Sequence, residues 1–250
     1  FEAADGLWQL RGYDAATMTV IRGARGWIVV DPLLSRETAA AAMDLVTAHL
    51  GERPVTAILF THSHADHFGG VRALADEGDV AAGRIRIIAP DGFAEAAVSE
   101  NVLAGNAMSR RATLQFGAAL EAGPAGLVDS GIGKALSSGS IGFLPPTETV
   151  TRTGERLVID GVEFVFVNAP ESEAPAEFMF YLPQFRALCT AELAMGTMRN
   201  VLTLRGAPAR DALAWSKYLA QALDMFPEAE IAFASHNQPV WGGAEVRRYL

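Results

Sequence analysis

Three of the chain's five histidines, His62, His64 and His67, fall in the stretch THSHADHFGG, Thr61–Gly70, with Asp66 among them. Neutral imidazoles and a carboxylate are ligands suited to zinc. Side chains at alternating loop positions diverge, so His62 and His64 can serve one ion while Asp66 and His67 serve a second a few ångströms away. Two neighbouring ions are the arrangement of two-metal hydrolysis, where the pKa of a bound water falls from about 15.7 towards about 7. The bland alternative is a solvated turn, and the concentration of a scarce residue type in one loop argues against it. Gly69 and Gly70 let the chain turn sharply where a side chain would crowd the ions.

The element that must deliver this loop is the apolar run Val55–Phe60, which follows Pro54 and reads as a buried strand. Upstream, Leu7–Leu10, Met18–Ile21 and Trp27–Val30 also read as strands. The last is apolar on both faces, as in the middle of a sheet, and ends at Asp31-Pro32. Asp31 has two readings, a side chain reaching the metal site from its strand end or an ordinary Asp-Pro turn. Ser35 is placed to cap a helix over Thr38–Leu50, closed by Gly51, with Met43, Val46 and Leu50 as its packing stripe. Val71–Ala75 opens a further helix ending near Gly78, and Ile85–Ala89 is the next buried strand. Strands alternating with helices predict an α/β class. The HxHxDH pattern itself resembles the metal loop of the metallo-β-lactamase superfamily. That resemblance implies an αββα four-layer sandwich with its site along one sheet edge.

Asp91–Met108 reads as helical, broken near Gly105. Asn101 and Asn106 interrupt its apolar pattern together with Arg110 and Arg111, and asparagines inside a helix suggest side chains that hydrogen-bond something. A cap at Asn106 and surface arginines are the plain alternative. Gly117–Pro146 is irregular and too long for a simple connection, so residues 117–148 are expected to form a packed loop walling a pocket. Its Gly131-x-Gly133-Lys134 lacks the spacing of a phosphate loop. Thr149–Arg152, Arg156–Ile159 and Val162–Val167 read as a meander with a turn at Asp160-Gly161. Next come Glu171, Glu173 and Glu177 around Pro170 and Pro175, then the strand Phe178–Leu182. An acidic loop is usually solvated, but a dinuclear centre needs more ligands than one loop supplies. Ala187–Thr190 leads to Glu192, Ala207–Phe226 reads as one amphipathic helix, and Ile231–Ala234 ends beside His236. His49 sits in the last turn of a helix, which suits a surface residue facing the dipole. His236 is therefore the remaining ligand candidate.

Composition bounds the partners. At 250 residues, with 50% of them hydrophobic, the chain can bury the core of one domain over 1–250. A net charge of −9 argues against nucleic acid as a habitual partner. The single cysteine, Cys189, excludes a disulfide framework. No apolar run is long enough to span a bilayer, so the expected chain is soluble. Phe1 opens the sequence without a methionine, and Leu250 falls inside a helix that begins after Gly243, so both ends read as cuts. A signal segment removed from the start would place the protein in the periplasm or outside a Gram-negative-type cell.

NVLAGNAMSRRA (101–112), TLRGAPARD (203–211) and FASH (233–236) together resemble the metallo-β-lactamase-type alkylsulfatases. The resemblance implies two Zn2+ ions, hydrolysis of an alkyl sulfate ester by an activated water with inversion at carbon, and a homodimeric full-length protein carrying further domains. It maps the acidic ligands onto Glu173 and Glu192 and the late histidine onto His236. His62, His64 and Glu173 would then hold one ion and Asp66, His67 and His236 the other, with Glu192 bridging. Asp66, Glu192 and Arg205 would act in catalysis, and Arg205, Asn101 and Asn106 would hold the sulfate. Two zinc ions against Asp66, Glu173 and Glu192 leave a small positive charge, suited to an anionic substrate. The chain departs from the family at Gly196 and Arg199, where histidines are usual, and at His236-Asn237-Gln238-Pro239, where His-His-Trp-Pro is usual. Those departures keep two other readings open: a hydrolase of another anionic ester, such as a phosphodiester, and a metal- or anion-binding homologue weakened in catalysis.

Overall fold

Apolar side chains alternate in use along Trp27–Val30 and Val55–Leu59, one set facing each side, and two-sided burial of this kind requires a layer on both faces. The computed structural model describes residues 1–250 and supplies those layers. Strands β1 (Glu2–Ala4), β2 (Leu7–Leu10), β3 (Met18–Arg22) and β4 (Trp27–Val30) pair antiparallel in succession. Helix α1 (Arg36–Leu50) then crosses to β5 (Val55–Leu59), α2 (Glu77–Ala81) precedes β6 (Arg86–Pro90), and α3 (Phe93–Val98) and α4 (Gly105–Gln115) precede β7 (Glu148–Val150). From β4 to β7 the pairing is parallel, giving one seven-stranded sheet in the order β1 to β7.

The second sheet follows from β8 (Arg156–Ile159), β9 (Val162–Asn168), β10 (Phe178–Leu182) and β11 (Ala187–Cys189), then α5 (Ala212–Met225), β12 (Ile231–Phe233), β13 (Val240–Trp241) and α6 (Gly243–Tyr249). Its order is β13-β12-β11-β10-β9-β8, with β11 and β12 parallel. Ile28, Val30, Leu59 and Ile88 of the first sheet pack against Phe164, Phe166, Phe178 and Phe180 of the second. The opposite face of the first sheet is covered by α1 through Ala42 and Val46, and by α3 through Phe93 and Ala97. Trp215 and Ala222 of α5 and Val246 of α6 cover the second sheet. The architecture is the α/β, αββα sandwich.

The structure departs from the sequence expectations at several elements. Thr149–Val150 belongs to β7 in the first sheet, not to a meander with β8, because its ladder partners are Ala89 and Pro90 of β6. Val71–Gly78 is not one helix: Val71–Ala73 forms a single 3-10 turn, and Asp76 starts α2 afresh by accepting the Asp79 backbone N–H at 2.8 Å. Likewise α5 begins at Ala212 and not Ala207, since Asp211 accepts the N–H groups of Leu213 and Ala214 and so defines the helix start. Gly69 and Gly70 are needed for a different reason from the one expected. A Cβ on them would lie 2.0 Å from the Leu34 carbonyl and 2.1 Å from the Pro32 carbonyl, so they admit backbone and not ions. Ser35 does cap α1, accepting Thr38 N–H at 3.3 Å.

Candidate metal centre

Parallel strands bring their C-terminal ends to one edge. Asp31 follows β4, and the loop carrying His62 follows β5. In the second sheet Glu173 lies between β9 and β10, Glu192 follows β11, and His236 follows β12. The two edges are tied by an isolated bridge between His62 and Glu177 and by Phe178 N–H donating to the Thr61 carbonyl at 3.0 Å. Candidate ligands widely separated in sequence therefore converge.

They converge as two groups of four that share one residue. His62, His64, Glu173 and Glu192 form the first, and Asp66, His67, Glu192 and His236 the second, with the ligand atoms of each group within 4.8 Å of one another. In the second group Glu192 Oε1 lies 2.9 Å from His67 Nε2 and 2.5 Å from His236 Nε2, and Asp66 Oδ2 lies 3.3 Å from His67 Nε2. In the first, Glu173 Oε2 stands 3.0 Å from His64 Nδ1 and 3.7 Å from His62 Nε2. His62 Nε2 and Glu173 Oε2 are buried without any hydrogen-bond partner. Buried polar atoms are normally satisfied, so two unsatisfied ligand-type atoms facing each other fit a divalent cation between them.

Neighbouring groups orient the imidazoles. Asp31 accepts from His67 Nδ1 at 3.0 Å, leaving Nε2 for the cluster. It also accepts the Thr61 N–H and hydroxyl, both at 2.8 Å, and the Ser235 hydroxyl at 2.7 Å. The Thr61 hydroxyl in turn stands 2.9 Å from His62 Nδ1, and the Ala15 and Ile132 carbonyls accept from His236 Nδ1 at 2.8 and 3.0 Å. Asp31 takes φ 55°, a conformation Asp tolerates better than most residues. Of its two sequence readings, the structure favours the site, through a ligand and not as one of the paired four-residue groups. Glu177 has a comparable part that the sequence did not reveal. It accepts from the backbone N–H of Ala174 and of Glu192, each at 3.1 Å, and from Ser172 Oγ, so it holds the segments carrying Glu173 and Glu192. Glu171, the third carboxylate of that loop, is exposed.

Charge is balanced within the cluster. Burial opposes ionisation of Asp66, yet the His67 and His236 imidazoles hold its carboxyl well below the ordinary range. Burial likewise opposes charge on His67, but Asp66 and Asp31 raise it well above its usual value, and Glu192 raises His236. Burial and the adjacent His67 push His62 well down, which keeps it a neutral ligand. Glu177 is pushed up by burial and by the charges of Glu173 and Glu192.

Above the cluster opens a cavity of about 600 Å³. Its lining includes Arg199, Arg205 and Arg210 as well as the apolar Met108, Phe116, Leu136 and Ile141. The loop over 117–148 thus contributes lining, and it is pinned in place. Asp14 accepts the Ser137 N–H at 3.0 Å and its hydroxyl at 2.6 Å, while Glu37 accepts the Ser140 N–H and hydroxyl at 2.7 and 2.8 Å. Arg205 engages Glu100 through Nε at 3.0 Å and Nη2 at 2.8 Å. Asn101 lines the cavity from a π-turn between α3 and α4 and donates to the Ala97 carbonyl at 2.9 Å. Asn106 does not join it: the cavity face of α4 carries Gly105, Met108, Ser109 and Ala112, and Asn106 falls off that face and is exposed. His49 is exposed at the end of α1, away from the site.

A profile of the metallo-beta-lactamase superfamily matches residues 11–236. The whole chain is 48% identical to a linear primary-alkylsulfatase from Pseudomonas sp, covering 37% of that protein. It is 44% identical to an (R)-specific secondary-alkylsulfatase from Pseudomonas sp, covering 38% of it. A solved structure of the stereoselective inverting sec-alkylsulfatase Pisa1 from Pseudomonas sp. superposes on all of the chain with a TM-score of 0.97 at 44% identity, over 40% of that protein. The chain therefore spans well under half the length of these relatives.

Proposed function

The chain belongs to the metallo-β-lactamase superfamily, and on that premise we propose that it hydrolyses alkyl sulfate esters to an alcohol and inorganic sulfate, using two Zn2+ ions. The observation that carries this reading is the pair of four-residue ligand groups sharing Glu192 beside a cavity lined by three arginines and by apolar side chains. His62, His64 and Glu173 would hold one ion, Asp66, His67 and His236 the other, and Glu192 would bridge. When bound, such ions supply Lewis acidity and a water that deprotonates near neutral pH.

The chain's own residues do the rest. Arg205 offers a planar donor fork to a sulfate group, exchanging its contact with Glu100 for the anion, and Asn101 stands by as a second donor. Met108, Phe116, Leu136 and Ile141 give an alkyl chain an apolar wall and keep water from it. Asp31, through His67, holds a ligand's orientation while the ester is bound. The alkylsulfatase relatives support a sulfate ester as substrate, and the similarity to an inverting one supports attack at carbon.

Sulfate release from a medium-chain alkyl sulfate by zinc-loaded protein tests the reading. Run in isotopically labelled water, the reaction is expected to place the label in the alcohol. Label in the sulfate would mean attack at sulfur. Release from a phosphodiester but not from the sulfate ester would transfer the function to that substrate class.

A further inference from the structure

Arg199 reaches down from the cavity wall until its Nη2 donates both to Glu173 Oε1 and to Glu192 Oε2, with its side chain only 16% exposed. The position matters because Glu192 is the residue common to both ligand groups. Its Oε1 faces His67 and His236 of the second group. That same Oε1 lies 3.6 Å from His62 Nε2 of the first group, while Arg199 holds the outer oxygen, Oε2, just as it holds Oε1 of Glu173, whose Oε2 faces His62 and His64. Arg210 Nη2 also donates to Glu173 Oε1, and it is seated behind that carboxylate with its Nη1 donating to the Asn200 carbonyl at 2.8 Å. Arg210 borders the same cavity but its side chain is only 4% exposed, whereas Arg199 is the more open of the two and has room to leave.

We infer that Arg199 is a resident cation on both carboxylates of the first group, whose charge opposes a divalent ion there, so that the chain binds two metals in sharply unequal steps. The inference rests on the dinuclear reading above. A guanidinium and a divalent ion on the same two carboxylates repel each other strongly in a poorly hydrated site. The second group makes no contact with a guanidinium except through the far oxygen of Glu192, so it fills first. Filling the first group then drives the Arg199 side chain outward into the cavity. Without metal, the same contact stabilises the fold by neutralising Glu173 and Glu192, since breaking one side of a buried ion pair leaves the other charge uncompensated.

Zinc titration against a chromophoric chelator, with melting temperatures of metal-free and zinc-saturated samples, tests this on the parent, Arg199→Gln and Arg199→Lys. The parent is expected to show two binding steps separated by about 100-fold or more. Arg199→Gln is expected to tighten the weaker step by about 10- to 100-fold, the scale on which groups beside ligands act on affinity. It should also lower the melting temperature of the metal-free protein while leaving the zinc-saturated one unchanged or higher. Arg199→Lys keeps the charge and should retain two separated steps, so the parent and this variant decide the matter if the glutamine variant does not fold. Two equal steps in the parent, or an unchanged weaker step in Arg199→Gln despite a lowered metal-free melting temperature, would overturn the inference. Failure of every chain to bind zinc would overturn the dinuclear reading and this inference with it.

Discussion

The two halves of the metal centre are built by different means. Asp66, His67 and His236 are locked from outside by neutral or anionic acceptors: Asp31 behind His67, and the Ala15 and Ile132 carbonyls behind His236. In the group of His62, His64 and Glu173 the carboxylate is held by cations instead, the guanidinium groups of Arg199 and Arg210 on Glu173 Oε1. Hydrogen bonds behind an imidazole raise its basicity and favour a cation. A guanidinium on a ligand carboxylate opposes one. A single site can therefore present one ready position and one guarded position while using the same kinds of ligand.

The largest effect is expected where the halves meet. Glu192→Ala removes the oxygen pair common to both groups, and sulfate release should fall by about 10³-fold or more, the equivalent of roughly 4 kcal/mol of lost transition-state stabilisation. Elemental analysis should find less than the parent's zinc. Retention of full zinc and full rate would show that the halves do not share this residue. Asp31→Asn separates them: it replaces the acceptor behind His67 and should weaken the tighter zinc step by about 10- to 100-fold, leaving the weaker step nearly unchanged. If both steps weaken equally in a chelator titration, Asp31 acts on the fold and not on one half.

Glu177 sharpens the comparison from the protein side, because its carboxyl binds the backbone of Ala174, next to Glu173, and that of Glu192 itself. Glu177→Ala leaves buried donors unpaired, each costing about 1–3 kcal/mol, and should lower stability to chemical denaturation with or without zinc. Burial and the charges on Glu173 and Glu192 already push this carboxyl up, so Glu177→Gln should cost much less. Equal losses for the two would mean that both acceptor oxygens of the carboxylate, not a neutral side chain of the same size, are what Glu177 supplies.

The smallest effect is a pH dependence confined to the metal-free chain. Asp66 and Asp31 raise His67, and Glu192 raises His236, both against the opposing effect of burial. Groups with raised folded pKa values contribute stability that is complete below the unfolded value of about 6.5 and is lost as pH rises through the folded values. Metal-free protein should therefore lose melting temperature as pH rises from about 6.5, and saturating zinc, which binds neutral imidazole, should remove that slope. A slope that persists with zinc bound would place its origin outside the cluster.

Much of this site was legible in the sequence because its candidate ligands are rare residue types in tight spacing or at strand ends. His62, His64, Asp66 and His67 announce themselves by pattern, and His236 emerges once His49 is assigned to a helix end. Strands Trp27–Val30 and Phe178–Leu182 were readable to the residue because they are apolar throughout and bounded by breakers. What escaped depends on distant contacts. Three residues of β7 carry no periodicity, and only β6 decides which sheet they join. Glu171, Glu173 and Glu177 are alike in type and spacing, yet one is exposed, one faces the cluster and one holds backbone. Arg199 could be noticed as a departure from a family pattern, but its seat on Glu173 and Glu192 is a tertiary fact. Asp14, which anchors Ser137 of the long loop, gave no local sign at all.

Metal content per chain, measured by elemental analysis on the same sample as sulfate release from dodecyl sulfate, tests the central claim most directly. About two zinc ions per chain together with sulfate release is the result expected of two ligand groups joined at Glu192. Less than about one metal per chain after zinc loading would contradict the ligand assignment on which the account stands.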